Sequence, residues 1–129
     1  MSGIADTRRW VYDIVNAGVA LPVLRWLPEA ANELPCFVVG RPDLDEDPTH
    51  RGLQAITVPV YVLGRTLRDD AAQSELDDLA DELERLLWKP PQEPDRSGRM
   101  TRMRATVANV GNVEVPAYTA TVIVTTAPC

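Results

Sequence analysis

Apolar and polar residues alternate along the chain with two different periods, and the period separates predicted helices from predicted strands. Apolar residues recur every three to four positions near the amino terminus, which predicts a first helix over residues 4–18 that ends at Gly18. The same spacing returns over residues 69–88, where Ala and Leu side chains fall into one stripe of about 120° on a helical wheel. Both segments are therefore predicted to be amphipathic helices that bury one face against the rest of the domain.

A period of two marks the predicted strands. In QAITVPVYVLG, residues 54–64, one isoleucine and three valines alternate strictly with Thr, Pro, Tyr and Leu. Pro59 has no N–H to donate, so this strand is predicted to lie at a sheet edge or to carry a bulge. The segments over residues 36–40 and 23–27 predict two further, shorter strands. The turn residues of VGNV, residues 110–113, join MTRMRATVANV to VPAYTATVIVTT and predict an antiparallel hairpin.

Two polar segments that contain prolines separate these elements, and both are predicted to be long loops. They cover residues 41–53 and 89–101, and loops of this length in a small domain are usually functional or mobile. The order is helix, strands, helix, strands within 129 residues, an ordinary length for one domain. The sequence therefore predicts a single α+β domain over residues 1–129, with an antiparallel sheet packed by two helices at about 4–18 and 69–88.

Composition and charge narrow the class of protein. Hydrophobic residues make up 45% and charged residues 25% of the chain, which is typical of a globular protein. A net charge of −6 argues against a nucleic-acid-binding surface, because neutralising phosphates requires clustered Lys and Arg. No apolar run approaches the roughly 18–20 residues of a membrane span, and the first residues lack the pattern of a signal peptide. With two cysteines we expect no disulfide framework, and Cys36 is predicted to be a small buried side chain.

The stretch SELDDLADELERLL, residues 74–87, contains six carboxylates. On a helical wheel they spread over the half-turn opposite the apolar stripe, whereas the ligands of a hard cation must converge on one point. We interpret them as a solvated helix face; the alternatives are an acidic contact with a neighbouring copy or a face along a DNA path. His50 is the single histidine, and no nucleophile motif, phosphate-binding loop or metal-binding spacing accompanies it. We therefore expect no catalytic site, no cofactor and no enzyme activity.

Basic and aromatic residues indicate a contact surface instead. Four arginines form a basic cluster, two on one face of a predicted strand and two in the loop before it, which fits an acidic partner, DNA phosphates or ordinary solvation. Trp10 lies off the apolar stripe of the first helix, and tryptophan is enriched at interfaces. The simplest interpretation of all three tryptophans, Trp10, Trp26 and Trp88, is nevertheless that they are core or rim residues. The candidate interface consists of Asp43, Asp45, His50, Arg51 and Trp10, together with the basic cluster of Arg96, Arg99, Arg102 and Arg104.

Several stretches, taken in order and spacing, resemble the tail terminator proteins of long-tailed bacteriophages, which are also described as minor tail proteins. The stretches are PCFVVG, then ITVPVYVLGRT, then the helix DDAAQSELDDLADELERLL, and finally PAYTATV. The versions from phages of actinobacteria are the most similar. The resemblance covers nearly the whole chain but not the segments 41–53 and 89–99, so it assigns no contacts to them.

The resemblance implies a fold related to that of tail tube and terminator proteins and a structural role in the virion. Such a protein forms a ring, typically a hexamer, that caps the head-proximal end of the tail tube once the tape measure protein has set its length. The implied partners are other copies of the chain, the major tail tube protein, a neck or head-completion protein and the tape measure protein. DNA passes through the pore without sequence-specific binding, and no membrane is involved. The implied location is the head–tail junction of the virion, after assembly in the host cytoplasm.

Three other functions remain open from the residues themselves. Another neck or head–tail connector protein of the same virion shares this size, acidity and fold class. A tube-forming subunit would polymerise into long filaments. A small-molecule-binding or enzymatic α+β domain would hold a polar pocket and depend on His50 or Cys36. A head-to-tail ring needs an edge strand, for which residues 54–64 and the terminal strand are the predicted candidates.

Overall fold

Two helices and six strands make up the part of the chain that the computed structural model describes, residues 4–26, 28, 34–46, 54–65, 70–88 and 96–126. The predicted helices are confirmed, the second beginning one residue later than predicted. Neither of these helices is both long and apolar enough to cross a membrane. The elements in chain order are α1 (Ile4–Gly18), β1 (Val23–Leu24), β2 (Cys36–Val39), β3 (Asp43–Glu46), β4 (Gln54–Leu63), α2 (Asp70–Trp88), β5 (Arg96–Val110) and β6 (Val113–Thr126).

All six strands belong to one sheet. Its order is β1-β2-β4-β6-β5, and β3 pairs with the first half of β4, beside β2. Every pair is antiparallel except β1 with β2, which is parallel, so the sheet is mixed rather than purely antiparallel. With two helices packed against it, this sheet confirms the predicted α+β class. One register row crosses the whole sheet, from Val23 through Phe37, Val62 and Tyr118 to Ala105.

Strand β4 lies in the middle of the sheet, so the predicted edge position or bulge at Pro59 is wrong. β4 pairs with β6 over its whole length and with β2 and β3 on its other side. β2 ends opposite Val60 and β3 begins opposite Thr57, which leaves a gap beside Pro59. Toward this gap the Gly40 N–H donates to the Pro59 carbonyl at 2.7 Å. Because N–H and C=O of one strand residue point the same way, the missing N–H of Pro59 also faces the gap, where it costs no ladder bond.

Both predicted long loops contain part of a strand, and to that extent the predictions for 41–53 and 89–101 are wrong. β3 lies inside the first segment and pairs with residues 54–57, the half of β4 that extends beyond β2. β5 begins at Arg96, inside the second segment, because β6 is long enough to pair with it from there onward. The remaining residues of the two segments, 47–53 and 89–95, lie outside the described residues.

The larger core fills the space between the two helices and one face of the sheet. From α2, the buried leucines Leu76, Leu83 and Leu87 pack against the sheet, and burial of a leucine stabilises by about 1.5–3 kcal/mol. At Gly18 the two helices lie so close together that a Cβ atom there would overlap the Leu86 side chain. The buried members of this core are Trp10, Val11, Val15, Val23, Phe37, Val39, Ile56, Val58, Val60, Val62, Leu76, Ala80, Leu83, Leu87, Ala120, Val122 and Val124.

A smaller core lies on the opposite face of the sheet. It joins residues from the tip of the β5–β6 hairpin to residues of β2 and β4, which are not neighbours of β5 in the sheet, so the sheet curves strongly. The predicted hairpin is confirmed: Gly111 has a φ of 63° and no other residue type has positive φ in the described part of the chain, which fits a type II′ turn with glycine in its first central position. Cys36 is fully buried, as predicted. The buried members are Cys36, Val38, Leu63, Val110, Val115 and Ala117.

Candidate functional site

The arginines of the basic cluster are brought to one face of β5 by a bulge. Arg99 and Arg102 are three residues apart and would point to opposite faces of a regular strand. The register shifts between Met100 and Arg102, which leaves Thr101 as an extra residue. Arg99, Arg102 and Arg104 therefore pair with alternate residues of β6 and share one face, on which all three are exposed. Arg96 is the first residue of β5, and its side chain lies outside what the structure describes.

The outer edge of β5 is an unpaired edge of the sheet as far as the described residues go. β5 is 15 residues long and, among the strands that the structure describes, pairs only with β6. The Gly64 N–H donates to the Pro116 carbonyl at 2.8 Å, so the backbone groups of Pro116 point toward β4. Every second residue of β6 from Pro116 onward does the same, and the residues between them direct their backbone groups toward β5. By this alternation the β5 residues whose backbone groups point away from β6, toward the open edge, are Met103, Ala105, Val107 and Asn109.

The opposite edge of the sheet is formed by β1 and β3. Asp43 and Asp45 lie in β3, which pairs only with β4 among the described strands. Asp43 and Arg99 occupy the two ends of one register row, separated by β4 and β6, or about 14 Å at the usual strand spacing. The structure therefore assigns these candidate residues to opposite edges of one sheet rather than to a common site. His50 and Arg51 lie outside the described residues.

Trp10 is a core residue, which agrees with its simplest interpretation from the sequence, and its place among the candidate interface residues is wrong. Only 9% of its surface is exposed, and its indole lies over Gly98, where a Cβ atom would come within 3.0 Å of Cζ3. The helical wheel missed this because the long side chain reaches from α1 across to β5, where glycine leaves room for it. Trp26 and Trp88, predicted to be core or rim residues, are instead 68% and 63% exposed. For Trp88 the helical wheel does indicate exposure, since Trp88 lies about 120° away from Leu76, which belongs to the apolar stripe.

A groove of about 800 Å³ lies between residues from both edges of the curved sheet. Its framework depends on Arg8 of α1, whose guanidinium donates to the carbonyls of Val39, at 3.0 Å, and of Arg25. These bonds hold the segment after β1 against β2. Arg25 in turn lies 4.7 Å from the centre of the Tyr12 ring, a cation–π contact. The lining residues are Arg8, Arg25, Trp26, Val38, Gly40, Arg41, Pro59, Tyr61, Thr106, Val107, Ala108 and Asn109.

The groove has the chemistry of a contact surface. It combines three arginines with Trp26 and Tyr61, the residue types that dominate the energetics of protein interfaces. Its described lining contains no carboxylate, histidine or cysteine, so it offers guanidinium donors and aromatic faces but no nucleophile or general base. Residues 106–109 of β5 line one side, so the groove adjoins the open edge of the sheet. Sequence reasoning missed it because its residues come from five separate elements.

The acidic face of α2 is exposed to solvent, as the helical wheel predicts. Only Glu82 of the six carboxylates is half-buried, and Glu75 forms an ion pair with Arg65 at 3.2 Å. The Tyr118 hydroxyl donates to Asp77 Oδ1 at 2.9 Å. This hydrogen bond, then partial burial and the charges of Asp77 and Asp81, raise the pKa of Tyr118 above its ordinary value of 10.0. Among the described residues no three His, Cys, Asp or Glu side chains are grouped as metal ligands would be.

A comparison with models of known protein families finds no match to the chain, and a comparison with curated proteins finds none either. The functional inference therefore rests on the geometry of the edge, the groove and the acidic helix together with the resemblance of the sequence.

Proposed function

We propose that the protein is a structural virion subunit that assembles head to tail into a ring, a hexamer, and caps the head-proximal end of a phage tail tube. The observation that carries the proposal is the open edge of β5, 15 residues long, on a sheet whose opposite edge is also unpaired among the described strands. A heterologous contact between two different edges generates a ring when the rotation closes. The resemblance of the sequence to tail terminators supplies the biological setting.

The strand directions support such a ring. β2, β3 and β6 run in one direction along the sheet, and β4 and β5 run in the opposite direction. β1 is parallel to β2, so β5 is antiparallel to both β1 and β3. All copies in a ring have the same orientation relative to the ring axis. The β5 edge of one copy therefore meets the β1–β3 edge of the next as an antiparallel pair, which is the more favourable pairing.

The open edge can supply a substantial contact. From Met103 to Asn109, four residues direct an N–H and a C=O outward. At about 1 kcal/mol for each net hydrogen bond, pairing this segment contributes several kcal/mol before any side chain is counted. An edge of this length left open is also an aggregation hazard, and ring closure removes it.

The remaining surfaces suit the other partners that a terminator requires. The two ends of the ring would contact the major tail tube protein and a neck or head-completion protein, with the tape measure protein inside during assembly. The net charge of −6 per copy disfavours binding of phosphates, which fits passage of DNA through the pore without retention. The exposed arginines and tryptophan of the groove offer contact chemistry and no catalytic group, which fits a role without enzyme activity.

The test replaces Ala105, whose N–H faces the open edge and whose side chain is exposed. Ala105→Pro removes that donor and places a ring against the incoming strand, while an edge position facing solvent tolerates proline. Ala105→Thr is the matched control, because it keeps the N–H and favours strand conformation. We expect rings by native mass spectrometry for the parent and Ala105→Thr, and at least a roughly tenfold higher concentration for half-assembly of Ala105→Pro.

The same samples separate this proposal from its alternatives. Added to growing tail tubes, the ring-forming proteins should stop elongation and Ala105→Pro should not. A parent protein that stays monomeric at high concentration, or an Ala105→Pro variant that assembles unchanged, contradicts the proposal. Rings that leave tube growth unaffected indicate another connector protein of the neck, and long filaments indicate a tube subunit.

A further inference from the structure

One flank of α2 presents negative charge beside the open edge of the sheet. On a helical wheel the flank consisting of Asp77, Asp81, Glu84 and Trp88 lies opposite Leu86, and Leu86 faces α1. We call these four residues the acidic flank. All four are exposed. The flank is fixed over the strands next to the open edge, since Asp77 accepts a hydrogen bond from the Tyr118 hydroxyl of β6.

Positive charge gathers at the opposite edge of the sheet. Arg8, Arg9 and Arg25, the arginine cluster, surround a cavity of about 170 Å³ with Ala5. Arg8 is anchored to carbonyls at the end of β1 and in β2, and Arg25 lies over the Tyr12 ring. The cluster therefore lies where α1 meets the β1–β2 edge of the sheet, with Arg9 on α1 and with Arg8 and Arg25 also lining the groove on the other face. Arg9 and Arg25 are exposed.

The two surfaces lie at nearly the same height along the strands. The row that begins at Val23 in β1 ends at Ala105 in β5 and includes Tyr118, the residue bonded to Asp77. Arg25 follows Val23 by two residues, and Asp81 follows Asp77 by one helical turn. Joining the β5 edge of one copy to the β1 edge of another so that this row continues brings the acidic flank beside the arginine cluster. The basic cluster of β5 cannot serve instead, because Arg99, Arg102 and Arg104 lie on the other face of the sheet.

We propose that the arginine cluster of each copy binds the acidic flank of α2 of the next copy, a contact between helix layers that accompanies the pairing of strands. This inference rests on the proposed ring. Charge complementarity identifies the occupant: the cavity lined by the three guanidinium groups contains no carboxylate, and the acidic flank offers exposed carboxylates that repel one another at i,i+4 spacing, such as Asp77 and Asp81. Trp88 adds the aromatic contact that strong interfaces use.

The test reverses one charge on each surface. Arg9→Glu and Asp81→Arg change exposed side chains, and Asp78→Arg is the matched control because it makes the same charge change outside the flank. We expect Arg9→Glu and Asp81→Arg each to raise the concentration for half-assembly by about five- to tenfold, with unchanged circular dichroism, and Asp78→Arg to have a smaller effect. A mixture of the two variants should assemble at the parent concentration. In a ring that alternates them, one contact pairs the two reversed charges and the next pairs the two original charges, so every contact joins opposite signs.

Each other result overturns the contact. If Arg9→Glu and Asp81→Arg assemble like the parent while Ala105→Pro does not, the proposed ring stands and this contact is absent. If the mixture assembles no better than either variant alone, the two surfaces do not meet. If rings persist but Arg9→Glu loses binding to a short DNA duplex or to the tail tube protein, the arginine cluster serves that partner instead. If the parent protein forms no rings, both the proposed function and this contact are wrong.

Discussion

Trp10 offers the sharpest test of the fold, because the sequence leaves it open between the core and an interface and the structure places it in the core. A fully buried tryptophan removes about 150–250 Å² from water, and Trp10 is 9% exposed. At about 25 cal/mol per Å², its burial contributes roughly 3–6 kcal/mol, in line with about 3–5 kcal/mol for replacing a core aromatic residue by alanine. The variant Trp10→Ala should therefore lose about a fifth or more of a typical domain stability of about 5–15 kcal/mol.

Urea unfolding followed by far-ultraviolet circular dichroism measures this loss. With a slope of about 1–3 kcal/mol per molar urea, the midpoint should fall by at least about 1 M. Fluorescence gives a second readout, because Trp26 and Trp88 are exposed and Trp10 is the buried emitter. The milder variant Trp10→Phe should shift the emission of the folded protein to longer wavelength.

A double-mutant cycle with Gly98 tests the contact itself. A Cβ atom at Gly98 would lie 3.0 and 3.2 Å from two atoms of the indole, so Gly98→Ala should cost about 1–3 kcal/mol in the parent. In a Trp10→Leu background that cost should largely disappear, which gives a coupling free energy between the two sites. The reasoning fails if Trp10→Ala unfolds within about 0.5 kcal/mol of the parent while its rings dissociate, since that result would return Trp10 to the interface.

Two further predictions follow from backbone and side-chain hydrogen bonds. Pro59→Ala should change the free energy of unfolding by less than about 1 kcal/mol. Val60→Pro should cost about 3 kcal/mol more than Val60→Ala, because it removes an N–H that is bonded to β6. The urea midpoints of the three variants check both expectations. Asp77→Asn should lower the pKa of Tyr118 toward 10.0, seen as an earlier alkaline titration of its ring carbon by NMR. Since the folded pKa is the raised one, the stabilisation from this bond is present below pH 10 and lost as pH rises through that pKa; an unmoved titration contradicts the assignment.

The helices and the terminal hairpin could be predicted from the sequence because their signals are local. The apolar stripe of α2 needs only a period of 3.6, and Gly111 with Asn112 sits between two alternating segments. The position of β4 could not be predicted in the same way. Pro59 excludes a ladder bond on one side only, and whether that side is an edge or a gap depends on where two other strands end.

The candidate site was less predictable because its parts meet only in three dimensions. One extra residue, Thr101, decides that Arg99 and Arg102 share a face, and a bulge has no reliable local signature. The groove joins Arg8 to Asn109, which are distant in sequence, through the curvature of the sheet. The burial of Trp10 depends on a glycine on the far strand. In each case pairing and curvature, rather than propensity, determine which side chains are neighbours.

The charge arrangement also decides which partner the open edge accepts. A twofold dimer through β5 would join two copies of one edge with the same faces aligned, so Arg102 and Arg104 of both copies would crowd one face. On the other face, Asp77 and Asp81 of both copies would approach each other across the new strand pair. Like charges therefore oppose the twofold pairing on both faces, although the backbone geometry of β5 would permit it. The opposite edge carries arginines in the helix layer and an acidic strand in β3, so electrostatics favour the head-to-tail contact that closes a ring.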